Sequence, residues 1–194
     1  MTLGIILAAS LLLAVAAGAD LRALAEVRLR ATWLIVLAFA LQLLVFAIPW
    51  TAKVLSGAAG EVHMTSYGLL LLFATANLSQ PGFALATVGL ALNTIAIVAN
   101  NGRMPVLLSV WETTGKASSD ITRTGRYNNN VLATAHTHIG FLGDVFPLPA
   151  SLPLSNSFSV GDILLLLGAT FFVYRRCRPS RSATTVLLPK APSS

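Results

Sequence analysis

Two aspartates in the last third of the chain have the residue type and the spacing that acid–base chemistry requires. Asp144 and Asp162 both stand in apolar sequence, and a proline-rich segment between them can fold the two side chains together. Two adjacent carboxylates cannot easily both ionise, so one keeps its proton and the pair can act as acid and base on a water molecule. This pattern predicts an aspartyl hydrolase site in which Asp144 and Asp162 are catalytic.

Each aspartate also has a purely structural interpretation. Asp162 stands at the start of the last apolar stretch, where a carboxylate in the first turn of a helix is stabilised by the helix dipole and by free backbone N–H groups. Asp144 can form an ion pair with Arg103 in poorly solvating surroundings. The sequence leaves both alternatives open.

Four further residues are candidates for binding a substrate. Residues 100–102 are predicted to end a helix, with Gly102 able to take the left-handed conformation that helix C-termini often need. Arg103 follows, and its guanidinium can turn inward to bind an anionic group or simply reach out to water. Asn100, His136 and His138 complete the predicted substrate-binding set. The two histidines are two residues apart and would point to nearly opposite sides of a helix, so no metal site is predicted. We expect no cofactor, because the chain has no P-loop, dinucleotide fingerprint, nucleophile elbow or zinc-protease motif.

The composition predicts a lipid environment for most of the chain. Of 194 residues, 55% are hydrophobic and only 10% are charged, whereas about a quarter of the residues of a soluble domain are charged. Mean hydropathy is +0.76. We therefore expect an all-α integral membrane protein with about five transmembrane helices in one domain, residues 1–178, followed by a disordered cytoplasmic tail, residues 179–194. The predicted spans are about 3–18, 33–50, 62–78, 81–99 and 159–174, with an outer loop at 100–158.

The outer loop has two parts of different character. Residues 112–130 are polar, which predicts a flexible connection. The stretch Val131–Val145 is apolar but too short for a comfortable crossing, so it predicts a re-entrant or interfacial helix. That helix would carry His136, His138 and Asp144.

Polar side chains inside the predicted helices need partners. Asn93 and Asn100 are seven residues apart and share a helix face, and Gln42 lies inside the second apolar stretch. Amides in such positions commonly form hydrogen bonds between neighbouring helices. We expect them to join helices rather than to take part in chemistry.

The distribution of charge predicts an orientation and excludes one class of partner. The formal net charge is +6, and the basic residues stand beside the apolar stretches rather than in a stripe interleaved with aromatic residues, so nucleic acid is not an expected partner. Lys and Arg concentrate in the loop at 22–30 and after residue 174. Because such residues mark the cytoplasmic side, we expect a multi-pass protein of a bacterial inner membrane with its N-terminus outside and the lipid bilayer as its partner.

Three motifs carry a resemblance to a known family. They are Asn-Asn-Gly-Arg-Met-Pro at 100–105, Phe-Leu-Gly-Asp at 141–144 and Phe-Ser-Val-Gly-Asp at 158–162. Through them the chain resembles, over residues 21–162, an uncharacterised family of small bacterial membrane proteins. This resemblance implies a multi-pass fold and no particular activity.

A second likeness concerns the order of short motifs. Lipoprotein signal peptidase has Asn-x-Gly, Gly-Asn-x-x-Asp-Arg and Phe-Asn-x-Ala-Asp in that order, and this chain is similar at 100–102, 140–145 and 158–162. The likeness implies that Asp144 and Asp162 form a catalytic dyad. Phe141, Val145 and Ser159 depart from the motifs.

Two classes of function follow from these observations. One is an enzyme that uses Asp144 and Asp162 on a membrane peptide or a lipid, as a hydrolase or an isoprenoid cyclase. The other is a non-catalytic binding or assembly module, or a small transporter subunit. An enzyme is expected to hold the two carboxylates together within about 3–6 Å, and a module to satisfy each one with its own donors.

Overall fold

The computed structural model describes residues 2–16, 21–48, 50, 56–117, 123–152 and 155–177. These residues form six α-helices: α1 (Thr2–Ala16), α2 (Trp33–Phe46), α3 (Ala59–Ala76), α4 (Phe83–Ala99), α5 (Leu108–Thr113) and α6 (Val160–Arg176). Short 3₁₀ helices lie at Leu21–Glu26, Ser56–Ala58 and Gly140–Leu142. The predicted tail at 179–194 lies outside the described residues.

The prediction of five transmembrane helices is wrong. Among the described residues, no helix combines the length and the apolar character that a membrane crossing needs. The longest, α3, has 18 residues and at 1.5 Å per residue is about 27 Å long, whereas a bilayer core is about 30 Å thick. This finding also overturns the predicted multi-pass location in a bacterial inner membrane. The apolar stretches predict helices correctly in type, but none of the described helices is both long and apolar enough to cross a membrane.

The described helices pack around a main apolar core, and two smaller apolar clusters lie apart from it. Helix α6 lies against α4 and α1, and α3 lies against α2 and α4. The core joins Leu70 of α3 and Ile97 of α4 to Leu165 of α6. Backbones approach closely where α4 crosses α6, since a Cβ atom on Gly161 would overlap Oδ1 of Asn93. The small residue therefore allows the polar side chain of α4 to reach the start of α6.

The core accounts for only part of the apolar composition. Large apolar side chains remain exposed on the outer faces of the helices, including Trp33, Val36 and Leu72 at 60–69% exposure.

Two small sheets make the rest of the fold, so the all-α prediction is also wrong. Strands β1 (Met104–Val106), β2 (Arg126–Tyr127) and β3 (Asn130–Leu132) form a sheet in the order β1-β3-β2, with β1 parallel and β2 antiparallel to β3. Strands β4 (Phe146–Leu148) and β5 (Asn156–Phe158) form an antiparallel pair.

No α-helix forms over Val131–Val145, where a re-entrant or interfacial helix is predicted. The segment begins in β3, continues through turns and the 3₁₀ helix Gly140–Leu142, and ends before β4. A two-residue turn at 128–129 joins β2 to β3, and Asn128 adopts a φ of 52° there. Asparagine tolerates this left-handed conformation, which tight hairpins require, and the turn commits the following residues to a strand.

Candidate functional site

Asp162 caps the helix that it begins. Ser159 is the N-cap of α6, and its Oγ accepts a hydrogen bond from the N–H of Asp162 at 3.0 Å. The N–H of Ser159 in turn donates to Oδ2 of Asp162 at 3.0 Å. This reciprocal capping box satisfies two backbone donors at the helix start, and it is the structural interpretation that the sequence left open.

Asn93 fastens that capping box to α4. Its Nδ2 donates to Oδ1 of Asp162 at 2.9 Å, and its Oδ1 accepts from Oγ of Ser159 at 2.8 Å. All three residues are buried. The prediction that Asn93 joins helices is confirmed, and so is that for Gln42, whose Nε2 donates to Oγ of Ser66 on α3 at 3.0 Å.

Asp144 is held at the edge of the three-stranded sheet. Its N–H donates to the carbonyl of Pro105 at 2.8 Å, and it forms an isolated parallel bridge with Val106 of β1. Its Oδ2 accepts from Oγ of Ser157 at 2.7 Å and from Nδ2 of Asn130 at 3.0 Å. Asp144 thus joins β3 to β5 through its carboxylate, and its backbone N–H connects it to β1.

The two carboxyl groups influence each other electrostatically. Burial and then the charge of Asp162 raise the pKa of Asp144 to about 7, against the lowering effect of its hydrogen bonds and of Lys116. Burial also raises the pKa of Asp162, while Ser159 and Asn93 oppose the rise. Asp144 therefore keeps its proton to a much higher pH than an exposed aspartate does.

The predicted pair thus lies in one buried polar region, but each carboxylate has its own donors. Asp162 accepts hydrogen bonds from Ser159 and Asn93, whereas Asp144 accepts them from Ser157 and Asn130. Both residues are almost inaccessible, with 4% and 6% exposure for Asp162 and Asp144. Separate donors for each carboxylate are what we expect of a non-catalytic binding or assembly module, rather than of a catalytic dyad.

An open pocket of about 500 Å³ lies elsewhere, between the end of α4, the start of β2 and the turn after β3. Its lining includes His136 and His138, two of the predicted ligand-binding residues, together with Arg123 and Arg126. No Asp or Glu side chain of the described residues lines it. The part of the chain that the structure describes thus lines the pocket with cationic and hydrogen-bonding side chains.

Asn100 builds one wall of this pocket. Its Nδ2 donates to the carbonyls of Ala96 and His138, both at 2.8 Å, and its Oδ1 accepts from the N–H of His138 at 3.1 Å. The amide therefore ties the turn that carries the histidines to the end of α4. Asn100 lines the pocket, and its side chain is engaged in holding that wall.

Arg103 lies beside the pocket rather than in its lining. Its Nη1 donates to the carbonyl of Asn128 in the β2–β3 turn at 3.0 Å. Burial and the neighbouring charge of Arg126 lower the pKa of Arg103. Gly102, which precedes it, adopts the predicted left-handed conformation with a φ of 78°. Two guanidinium groups are thus brought close together, which favours an anion nearby.

The sequence prediction did not include Arg123 and Arg126. Both stand in the stretch 112–130 that reads as a polar connection. The available signal was the asparagine pair at 128–129 between two short segments, which is typical of a tight hairpin. Such a hairpin would have placed Arg126 opposite Val131 in a sheet.

The residues that the structure describes contain no group of three or more His, Cys, Asp or Glu side chains placed to hold a metal ion. His136 and His138 lie on a turn, where they share the pocket lining despite their spacing.

Comparisons with known proteins give a family but no activity. Residues 26–174 match the model of a family of unknown function, DUF5317. An uncharacterized protein of Thermotoga maritima is 34% identical over 148 residues, which cover 72% of this chain and 80% of that protein. No solved structure matches. The likeness to lipoprotein signal peptidase is not shown by these comparisons, whereas the resemblance to an uncharacterised family is confirmed. The chain belongs to the family of unknown function DUF5317.

Proposed function

We propose that this chain is a binding protein for a small anionic ligand, which occupies the pocket between the end of α4 and the β2–β3 hairpin. The observation that carries the proposal is the lining: Arg126, His136 and His138 border one space of about 500 Å³, and none of the described residues that line this space is acidic. Pockets of this size hold small molecules.

The surrounding structure supports the proposal because it fixes the walls. Asn100 ties the histidine turn to α4 through three hydrogen bonds. Arg126 belongs to β2, which pairs with β3, and β3 pairs in parallel with β1. Groups placed in advance on a paired sheet and a tied turn lose less entropy when they bind a ligand.

The test is calorimetric titration with inorganic phosphate and with citrate at constant ionic strength. The parent protein is expected to bind, and Arg126→Ala to bind about tenfold more weakly, since a hydrogen bond to a charged group contributes about 1.5–3 kcal/mol and solvent reduces this at an exposed site. Arg28→Ala removes an equally exposed arginine far along the chain from the pocket and serves as the matched control. Equal affinities of the parent and Arg126→Ala would contradict the proposal.

A second candidate is acid–base catalysis by Asp144 and Asp162 on a peptide or lipid substrate. It is supported by the proton that burial and Asp162 hold on Asp144, with a pKa of about 7, as an acid working near neutrality requires. Hydrolysis of peptide and ester substrates by the parent, abolished in Asp144→Asn, would favour it. Activity that survives in Asp144→Asn would exclude this role.

A further inference from the structure

The side chains around the pocket offer mainly donors. Oγ1 of Thr137 accepts a hydrogen bond from the N–H of Thr134 at 2.8 Å, and Oγ1 of Thr134 accepts from the N–H of His136 at 3.3 Å. Each hydroxyl oxygen already has a donor, so its hydrogen is directed elsewhere, and both threonines line the pocket. A hydroxyl in this state has a hydrogen that it can donate to a ligand. A ligand with several acceptor oxygens therefore matches this lining.

Arginine and histidine side chains line the pocket on two walls. Arg123 and Arg126 belong to the β2 side, and His136 and His138 to the turn after β3. A carboxylate offers two oxygens in one plane, which a single guanidinium can engage. A phosphomonoester offers three terminal oxygens and a charge between about −1.5 and −2 at neutral pH, so it can be contacted from both walls at once.

The pocket also has room and chemistry for more than a phosphate. Its volume is about 500 Å³, and its lining includes the apolar residues Val131 and Leu132 as well as Thr134 and Thr137. No Phe, Tyr or Trp of the described residues lines it. Nucleobases are held largely by stacking on such rings, so the pocket lacks the platform that a nucleotide uses.

We propose that the ligand is a phosphomonoester of a small hydroxylated carbon skeleton, of the chemical class of the sugar phosphates. The phosphoryl group lies between the arginines and the histidines, and the hydroxyl groups of the skeleton lie against the threonines. The proposal rests on the anion-binding function proposed above, and it names the ligand class of the same pocket.

The test compares four probes by calorimetry at equal ionic strength: glucose 6-phosphate, glucuronate, glucose and adenosine monophosphate. We expect glucose 6-phosphate to bind at least about tenfold more tightly than glucuronate, which has a similar skeleton but a carboxylate. Glucose should show no measurable binding. Glucuronate or adenosine monophosphate binding as tightly as glucose 6-phosphate would overturn the ligand class and leave the anion-binding function standing. If no anionic probe binds, both proposals fail.

Two variants of Thr137 distinguish the binding of the carbon skeleton from the binding of the phosphoryl group. Thr137→Val removes a hydroxyl and should lower the affinity for glucose 6-phosphate severalfold more than the affinity for inorganic phosphate. Thr137→Ser keeps the hydroxyl and serves as the matched control, with circular dichroism of both variants to confirm the fold. Loss of phosphate and glucose 6-phosphate binding in equal proportion in Thr137→Val would contradict the placement of the skeleton against the threonines.

Discussion

Replacement of Asp144 by asparagine should remove a pH dependence from the stability of the fold. In the folded protein, burial and the charge of Asp162 raise the pKa of Asp144 from 3.8 to about 7. A group whose pKa is raised on folding favours the folded state most at a pH below its unfolded pKa. That contribution is then lost as pH rises through the folded value. The free energy of unfolding should therefore fall between about pH 4 and pH 7.

The size of the effect follows from the shift. About three pKa units at about 1.4 kcal/mol per unit give a loss of about 4 kcal/mol across that interval. Asparagine has nearly the same shape as a protonated aspartate, and its carbonyl oxygen can accept the bonds that Ser157 and Asn130 donate to Oδ2. At pH 8, Asp144→Asn should be more stable than the parent by up to this amount, and at pH 4 the two should be similar.

The assay is chemical denaturation followed by circular dichroism from pH 4 to pH 8. Glu112→Gln neutralises an exposed carboxyl group on α5 and serves as the control, for which we expect the slope of the parent. The reasoning is refuted if Asp144→Asn keeps the slope of the parent. It is also refuted if the variant is less stable than the parent at pH 8, because the ionised carboxylate would then be a net stabilising group.

Three further predictions concern the contacts that position the two regions. Ser159→Ala removes the N-cap of α6 and should lower the free energy of unfolding by about 1–2 kcal/mol in denaturant titrations, since the hydroxyl also bonds to α4. Gly161→Ala places a methyl group where the helix backbones meet and should destabilise the protein by more than about 1 kcal/mol. Gly68→Ala, in open space on α3, should instead stabilise it by about 0.5–1 kcal/mol in the same experiment. Asn100→Ala frees the histidine turn and should weaken phosphate binding severalfold in calorimetry; unchanged affinity would show that the turn does not need this clamp.

Local signals in the sequence predicted individual contacts well. Asn93 was expected to join helices and Asp162 had a helix-capping alternative, and both outcomes depend on the chemistry of one side chain near a helix end. Gly102 was expected in a left-handed conformation for the same kind of reason.

Properties that depend on distant parts of the chain were not predicted. An apolar stretch indicates a helix, but it does not determine where the helix ends, and here none of the described helices is both long and apolar enough to cross a membrane. The short strands escaped detection because β1 and β4 each contain a proline, Pro105 and Pro147, which usually argues against a strand. The pocket depends on the parallel pairing of β1 with β3, about 26 residues apart in sequence.

The most direct test of the anion-binding account is nuclear magnetic resonance of the ¹⁵N-labelled protein titrated with inorganic phosphate. The account predicts that amide shifts change in a saturable way at Gly125, Arg126, His136 and His138, which line the pocket. It also predicts that the amides of α6 stay unchanged. The absence of any saturable change at millimolar phosphate, or changes centred on Asp144 instead of the pocket, would contradict it.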